Sequence, residues 1–176
     1  NAFGGKYRAK DVSGVKKYGK TPSLFKIKSQ GALNNALKQI DGIANSLGLQ
    51  VRSQGDMPQT QLADQSFDNL LTRGLIRPVR GEYADSSTLV DLSGDDAPSF
   101  RYDKSFIAKL ALSDDELRSA YAAIADKLLS YDKVRSKMRW NGVAFATGRS
   151  TFARVRIVGK TLCLYLAVSP AEYGGK

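Results

Sequence analysis

The sequence predicts an α+β domain, an antiparallel sheet of about four to five strands packed by two main helices. In residues 134–140, basic side chains alternate with uncharged ones, which is the period of two expected of a strand. Residues 117–128 repeat apolar side chains at spacings of three and four, which indicates a helix. The chain has 176 residues, 42% of them hydrophobic, which suffices for one modest core.

Residues 99–176 are predicted to form a helix followed by a four-strand meander. The helix begins at the capping-box pattern Ser113-Asp-Asp-Glu116 and runs to about Ser130. A hairpin turn is expected at Asn141-Gly142. The four strands are expected at 134–140, 143–147, 152–158 and 161–168.

Residues 1–48 are predicted to contain a strand and then a helix. The strand covers 23–28, and the helix buries Leu33, Leu37, Ile40, Ala44 and Leu47 before Gly48 ends it. Neither this segment nor 99–176 has enough apolar surface alone. We therefore expect the two to pack together in one α+β layer.

Residues 49–98 are predicted to be an acidic connector. They carry four basic residues against eight acidic ones, whereas 1–48 and 99–176 each have a net charge of +7. From Gly81 to Phe100 there are five acids and no base, among Ser, Gly and Pro, which is typical of a solvated linker. A short helix is expected near 66–73, with Ser66 as its cap and Gly74 after its end, before an extended piece at 75–77.

The composition excludes several classes of function. The chain has no histidine and one cysteine, so common zinc sites, Ser-His-Asp catalysis and an internal disulfide are absent. We predict a protein that is not an enzyme and uses no cofactor or metal. No apolar run reaches the ~18 residues that span a bilayer, so no membrane partner is expected. The polar N-terminus lacks an initiating Met, and we expect the segment to derive from a longer protein.

Several motifs resemble a known family. They are Leu129-Ser-Tyr-Asp-Lys-Val-Arg-Ser-Lys137 through Trp140, Gly148-Arg149, and Gly159-Lys-Thr-Leu-Cys-Leu-Tyr-Leu-Ala167 with Pro170 and Tyr173. Together they resemble an uncharacterised domain, often repeated in tandem, of large acidic multi-domain proteins from Gram-positive gut bacteria. The resemblance implies the α+β fold but no activity.

The order of the family's parts is rotated in this chain. In the family the strand run comes first, followed by pieces similar to 6–13, 21–47 and 67–76. The resemblance therefore makes 99–176 the N-terminal half of the repeat and 1–48 its C-terminal half, as in a circular permutant or a repeat sampled out of phase. The two halves can pack within one chain or exchange between neighbouring chains to form oligomers. The first is favoured, because the connector 49–98 is long enough to reach across one domain.

Basic side chains recur at the alternate positions of the predicted strands that face away from the core. Eight basic residues and no acid lie between Lys133 and Lys160. Such a sheet face could bind an acidic macromolecule, such as nucleic acid, by charge, with aromatic rings for base stacking. The candidate residues are Lys26, Lys28, Arg135, Lys137, Arg139, Arg149, Arg154, Arg156 and Tyr165.

Alternatives stay open at this point. The basic face could instead be a solvated outer surface with Trp140 and Tyr165 in the core, and the partner could be a neighbouring repeat unit. The acidic stretch 82–96 is either a soluble spacer or an internal competitor for that face. Gly159-Lys160-Thr161 lacks the first glycine and the following helix of a phosphate-binding loop. Asp114 to Glu116 and Cys163 are expected to have structural roles only.

Overall fold

A computed structural model describes residues 9–53, 60, 62, 64–79 and 101–169 of the chain. The acidic stretch 81–100, the N-terminal residues 1–8 and residues 170–176, on which part of the sequence argument rests, lie outside the described residues. In chain order the helices and strands are β1 (Lys10–Asp11), β2 (Ser23–Ile27), α1 (Gln30–Ser46), α2 (Phe67–Thr72), β3 (Ile76–Val79), β4 (Arg101–Lys104), α3 (Phe106–Ala111), α4 (Asp115–Leu129), β5 (Val134–Arg139), β6 (Gly142–Thr147), β7 (Ser150–Val158) and β8 (Thr161–Leu166). A single 3-10 turn covers Lys16–Tyr18.

Six strands form one antiparallel sheet in the order β1-β2-β8-β7-β6-β5. β5 to β8 follow one another as hairpins, and β2 lies beside β8 with Phe25 opposite Leu164. One sheet therefore contains strands from both ends of the chain. The predicted α+β class is confirmed, with more strands than expected, because β1 joins the main sheet and β3 and β4 form a separate two-stranded ladder.

The main helices, α1 and α4, cover one face of the sheet. Ile40 of α1 and Ile124 and Leu128 of α4 are fully buried in the same core as Phe145 and Leu164 of the sheet. Burial of these apolar side chains is the main force that holds the two layers together. Leu47 is 46% exposed, so its predicted place in the core was wrong. The helix ends at Ser46, and Leu47 is its C-terminal cap residue, before Gly48 adopts a φ of 66°.

The helix α4 begins near the predicted pattern, but its cap is Asp114 rather than Ser113. The Asp114 carboxylate accepts a hydrogen bond from the backbone N–H of Leu117 at 2.8 Å. The Ser113 hydroxyl instead donates to the carbonyl of Lys109, in the last turn of α3. A capping box on Ser113 was therefore the wrong assignment, because the sequence pattern does not reveal that α3 ends there.

The described parts of the segment 49–65 lie along α4. The Arg52 backbone N–H donates to the carbonyl of Ser130, just after the C-terminus of the helix. The Thr60 hydroxyl and N–H both donate to the carboxylate of Asp126, at 2.6 and 2.7 Å. Nearer the helix start, the Arg118 guanidinium donates to the carbonyl of Leu62. The connector is thus anchored to the domain at several points along one helix.

The hairpin between β5 and β6 differs from the predicted one. Its two turn residues are Trp140 and Asn141, and Gly142 is the first residue of β6, paired with Arg139. A Cβ at Gly142 would lie 2.3 Å from the carbonyl oxygen of Val155 and 2.8 Å from Cγ of Arg156. The glycine is required because β7 approaches closely at this point.

Candidate binding site on the basic sheet face

The face of the six-stranded sheet opposite α1 and α4 is basic, and we call it the basic face. Strand alternation directs onto it the side chains of Lys26, Arg135, Lys137, Arg139, Arg154, Arg156 and Tyr165. The registers align Tyr165 with Arg154, Arg154 with Ala144, and Ala144 with Lys137 in one row across four strands. Non-local pairing thus brings together charges that are far apart in the chain.

Two of the candidate residues lie elsewhere. Arg149 is exposed in the turn between β6 and β7, at the opposite end of these strands from Gly142. Lys28 follows the end of β2 and borders a separate cleft between the first turns of α1 and α4, which Asp114 and Glu116 also line. The structure therefore does not bring Arg149 and Lys28 together with the other basic residues.

A cleft of about 460 Å³ lies at one end of the basic face. The charged residues among its described lining are cationic: Lys17, Arg139, Arg154 and Arg156. Tyr18 and Trp140 add aromatic rings to its wall. The volume falls within the range of small-molecule and nucleotide sites. The lining is suited to a ligand that combines negative charge with a planar or apolar group.

Tyr165 does not face this cleft as an open stacking platform. It is only 4% exposed, because the ring of Tyr18 stacks on it with the ring centroids 4.3 Å apart and the planes 7° from parallel. Leu24 and Cys163 complete this small cluster, and Val12 packs against it. The expectation that Tyr165 stacks bases is corrected by this burial, since a base could reach the ring only by displacing Tyr18.

The pKa values of Tyr18 and Tyr165 are shifted in opposite directions. Burial raises the pKa of Tyr18, but hydrogen bonds with Tyr165 and Arg156 and the charges of Arg156 and Lys17 outweigh it, so that pKa lies below its ordinary value. The pKa of Tyr165 is raised, first by burial and then by its hydrogen bond with Tyr18. The hydrogen bonds from Tyr165 and Arg156, together with the charges of Arg156 and Lys17, therefore favour the ionised form of the Tyr18 hydroxyl.

Both arginines of β7 also bind the loop that carries Tyr18. Arg154 donates from Nη1 to the carbonyl of Lys17 at 3.2 Å, and Arg156 donates from Nη1 to the Tyr18 hydroxyl and from Nε to the carbonyl of Asn141. These acceptors are neutral. Among the described residues, no ion pair involves a cation that lines the cleft.

Trp140 is held by the β3–β4 ladder. The Arg77 guanidinium lies 4.1 Å from the centroid of its ring, and its Nε1 donates to the Asp103 carboxylate at 2.8 Å. The ring is therefore partly covered. Sequence reasoning missed Lys17 and Tyr18 as site residues, because the loop 12–22 has no periodic pattern that would place it over the sheet.

The structure also describes the remaining candidate motifs. Asp114 caps α4, and the described residues contain no group of three His, Cys, Asp or Glu that could hold a metal ion. Cys163 is buried, and burial raises the pKa of its thiol. Lys160 lies in the turn before β8, where no helix follows to bind a phosphate.

Comparison of the chain with protein-family models, with curated proteins and with solved structures found no match. The family resemblance of the sequence motifs therefore stays a prediction. Among the described helices, none is both long enough and apolar enough to cross a membrane.

Proposed function

We propose that this chain is a non-enzymatic binding module whose basic face takes the phosphate backbone of a nucleic acid. The observation that carries the proposal is the cleft lined by Lys17, Arg139, Arg154 and Arg156, with no acidic residue among the described residues of its wall. Arginine pairs well with phosphate groups, because its planar donors can bond two of their oxygens at once.

The basic residues of β5 extend the positive surface away from the cleft. Arg135, Lys137 and Arg139 are exposed on the same face of one strand, so successive phosphates of one strand can follow it. Because Tyr18 covers Tyr165, base stacking is limited to the partly covered ring of Trp140 and the rim of Tyr18. Binding is therefore driven by charge, with weak sequence preference and a steep dependence on salt.

The test is a titration of the chain into labelled single-stranded and double-stranded oligonucleotides over a series of salt concentrations. The cleft variant is Lys17→Ala with Arg139→Ala, whose side chains make no described hydrogen bond or ion pair. The matched control is Lys28→Ala with Arg149→Ala, which removes the same charge outside the cleft.

We expect the cleft variant to bind more weakly. The slope of log K against log salt, which is negative, should become shallower by about 1.5. The control variant should change the slope little. Equal losses in both variants would show attraction by net charge alone, and no binding at low salt would refute the proposal.

The competing proposal from the sequence is an assembly module whose halves exchange between neighbouring chains. The pairing of β2 with β8 is the contact that such an exchange would redirect. A concentration-dependent oligomer at low and high salt alike would support assembly, and a monomer under both conditions would contradict it.

A further inference from the structure

Strand β5 forms one edge of the six-stranded sheet, with β6 on its inner side. In the part of the chain that the structure describes, no strand pairs with its outer side. Residues 135–139 are all exposed, so the edge is open over most of its length. Open edges offer unpaired N–H and C=O groups to another extended segment.

The hairpin register determines which backbone groups point outward. Arg139 and Gly142 close the two-residue turn and form a hydrogen-bonded pair, and hydrogen-bonded pairs then alternate along the strands. Arg135, Lys137 and Arg139 therefore bond to β6, while the backbone groups of Ser136 and Met138 face outward. The carbonyl of Val134, which has the same parity, accepts from Arg52 Nη2 at 3.3 Å.

The two sides of this edge differ in chemistry. Arg135, Lys137 and Arg139 line it on the basic face. On the helix side, the side chain of Met138, 47% exposed, borders a cleft of about 280 Å³. The apolar lining of that cleft includes Leu62, Ile107 and Leu110. The lining of the cleft also includes Thr60, Gln65 and Arg118. A strand added at this edge would thus meet cations on one side and a mostly apolar cleft on the other.

We propose that the β5 edge binds an extended partner peptide of alternating acidic and apolar residues by strand addition. Successive side chains of a strand point to opposite faces, so the acidic residues contact Arg135 and Lys137 and the apolar residues enter the cleft beside Met138. A second copy of β5 does not fit, because like charges would lie opposite each other. This proposal does not rest on nucleic-acid binding at the cleft of Lys17.

The probe is a fluorescent synthetic peptide of about ten residues that alternates Glu and Leu, titrated into the full chain. Two further peptides carry N-methyl groups, one on every Leu and the other on every Glu. In an antiparallel addition, the Leu residues lie opposite Ser136 and Met138 and supply the N–H groups that face β5. We therefore expect N-methylation at Leu to abolish binding and N-methylation at Glu to preserve it.

The protein variants are Lys137→Glu and, as the matched control, Arg149→Glu. Lys137→Glu should weaken binding about tenfold or more, and Arg149→Glu should leave it nearly unchanged. On binding, hydrogen exchange should slow at the amides of Ser136 and Met138. Equal binding of the two N-methylated peptides, equal losses in the two variants, or unchanged exchange at these amides would overturn strand addition.

Discussion

The ring of Tyr18, in the loop between β1 and β2, stacks on the ring of Tyr165 in β8 with 4.3 Å between the centroids. This contact closes part of the sheet face opposite the helices. It also positions the Tyr18 hydroxyl to accept a hydrogen bond from Arg156 at the edge of the cationic cleft. A loop without periodic patterning thus both buries an aromatic ring and shapes the candidate site.

Replacement of Tyr18 by Ala should destabilise the fold by about 1–3 kcal/mol, because a partly buried ring and its stacking are lost. Tyr18→Phe keeps the ring and loses only the hydroxyl contacts, at a cost of about 1 kcal/mol. Urea unfolding measures the change in the free energy of unfolding for each variant. The same losses in the two variants would show that the stacked ring contributes nothing.

The thiol of Cys163 provides a second measurement on the Tyr18 variants. Cys163 is 3% exposed, in the cluster that Tyr18 covers. Ellman's reagent should therefore react slowly with the native protein, faster with Tyr18→Ala, and at the native rate with Tyr18→Phe. Rapid labelling of the native chain would contradict the described burial.

Gly142→Ala should be strongly destabilising, by about 3 kcal/mol or more, because the new methyl group would overlap the carbonyl of Val155. Gly148→Ala is the matched control. It lies in the next turn with a φ of 56° and no atom near its Cβ, so only backbone strain of about 1–2 kcal/mol is expected. Thermal unfolding of the two variants gives the comparison, and equal costs would refute a role for close approach.

The stability of the fold should fall as the pH rises from about 10 to 12. Burial and then the charge of Asp126 raise the pKa of Tyr121 to about 12. A pKa raised on folding stabilises the fold below the unfolded pKa of about 10, and this contribution is lost as the pH passes the folded value.

For Tyr121 the shift corresponds to about 2–3 kcal/mol. Tyr121→Phe should therefore lose less stability than the native chain when urea unfolding is compared at pH 9 and pH 12. The variant retains the edge-on ring contact with Phe106, which lies 5.3 Å away. An identical fall in both proteins would exclude Tyr121 as the source.

Some parts of the fold were predictable because the forces that form them are local. The N-cap of α2 at Ser66, the positive φ of Gly48 and Gly74, and the end of α4 beside Ser130 follow from side chains within a few residues of each terminus. Alternation likewise placed Arg154 and Arg156 on the face opposite Val155, because successive side chains in a strand point to opposite faces.

Other parts depended on neighbours that the local pattern does not reveal. Alternation places Met138 on the same side of β5 as the buried Val134, yet Met138 is 47% exposed, because β5 lies at the edge of the described sheet. Helix α3 was missed, since its six residues are too few for a periodic signal. Lys28 and Arg149 shared the right charge but lie beyond the ends of the strands that form the basic face.

The sequence by itself determined the α+β class, the approximate limits of the main helices and strands, and the side of each strand on which the cations lie. Backbone hydrogen bonds, capping and side-chain alternation act over a few residues, so they can be read from the chain directly. The tertiary structure alone decided that β2 lies beside β8, that Tyr18 covers Tyr165, and that β5 lies at the edge of the described sheet. These features join residues as far apart as Tyr18 and Arg156, separated by 138 positions, and arise only when distant segments bury their apolar surfaces together.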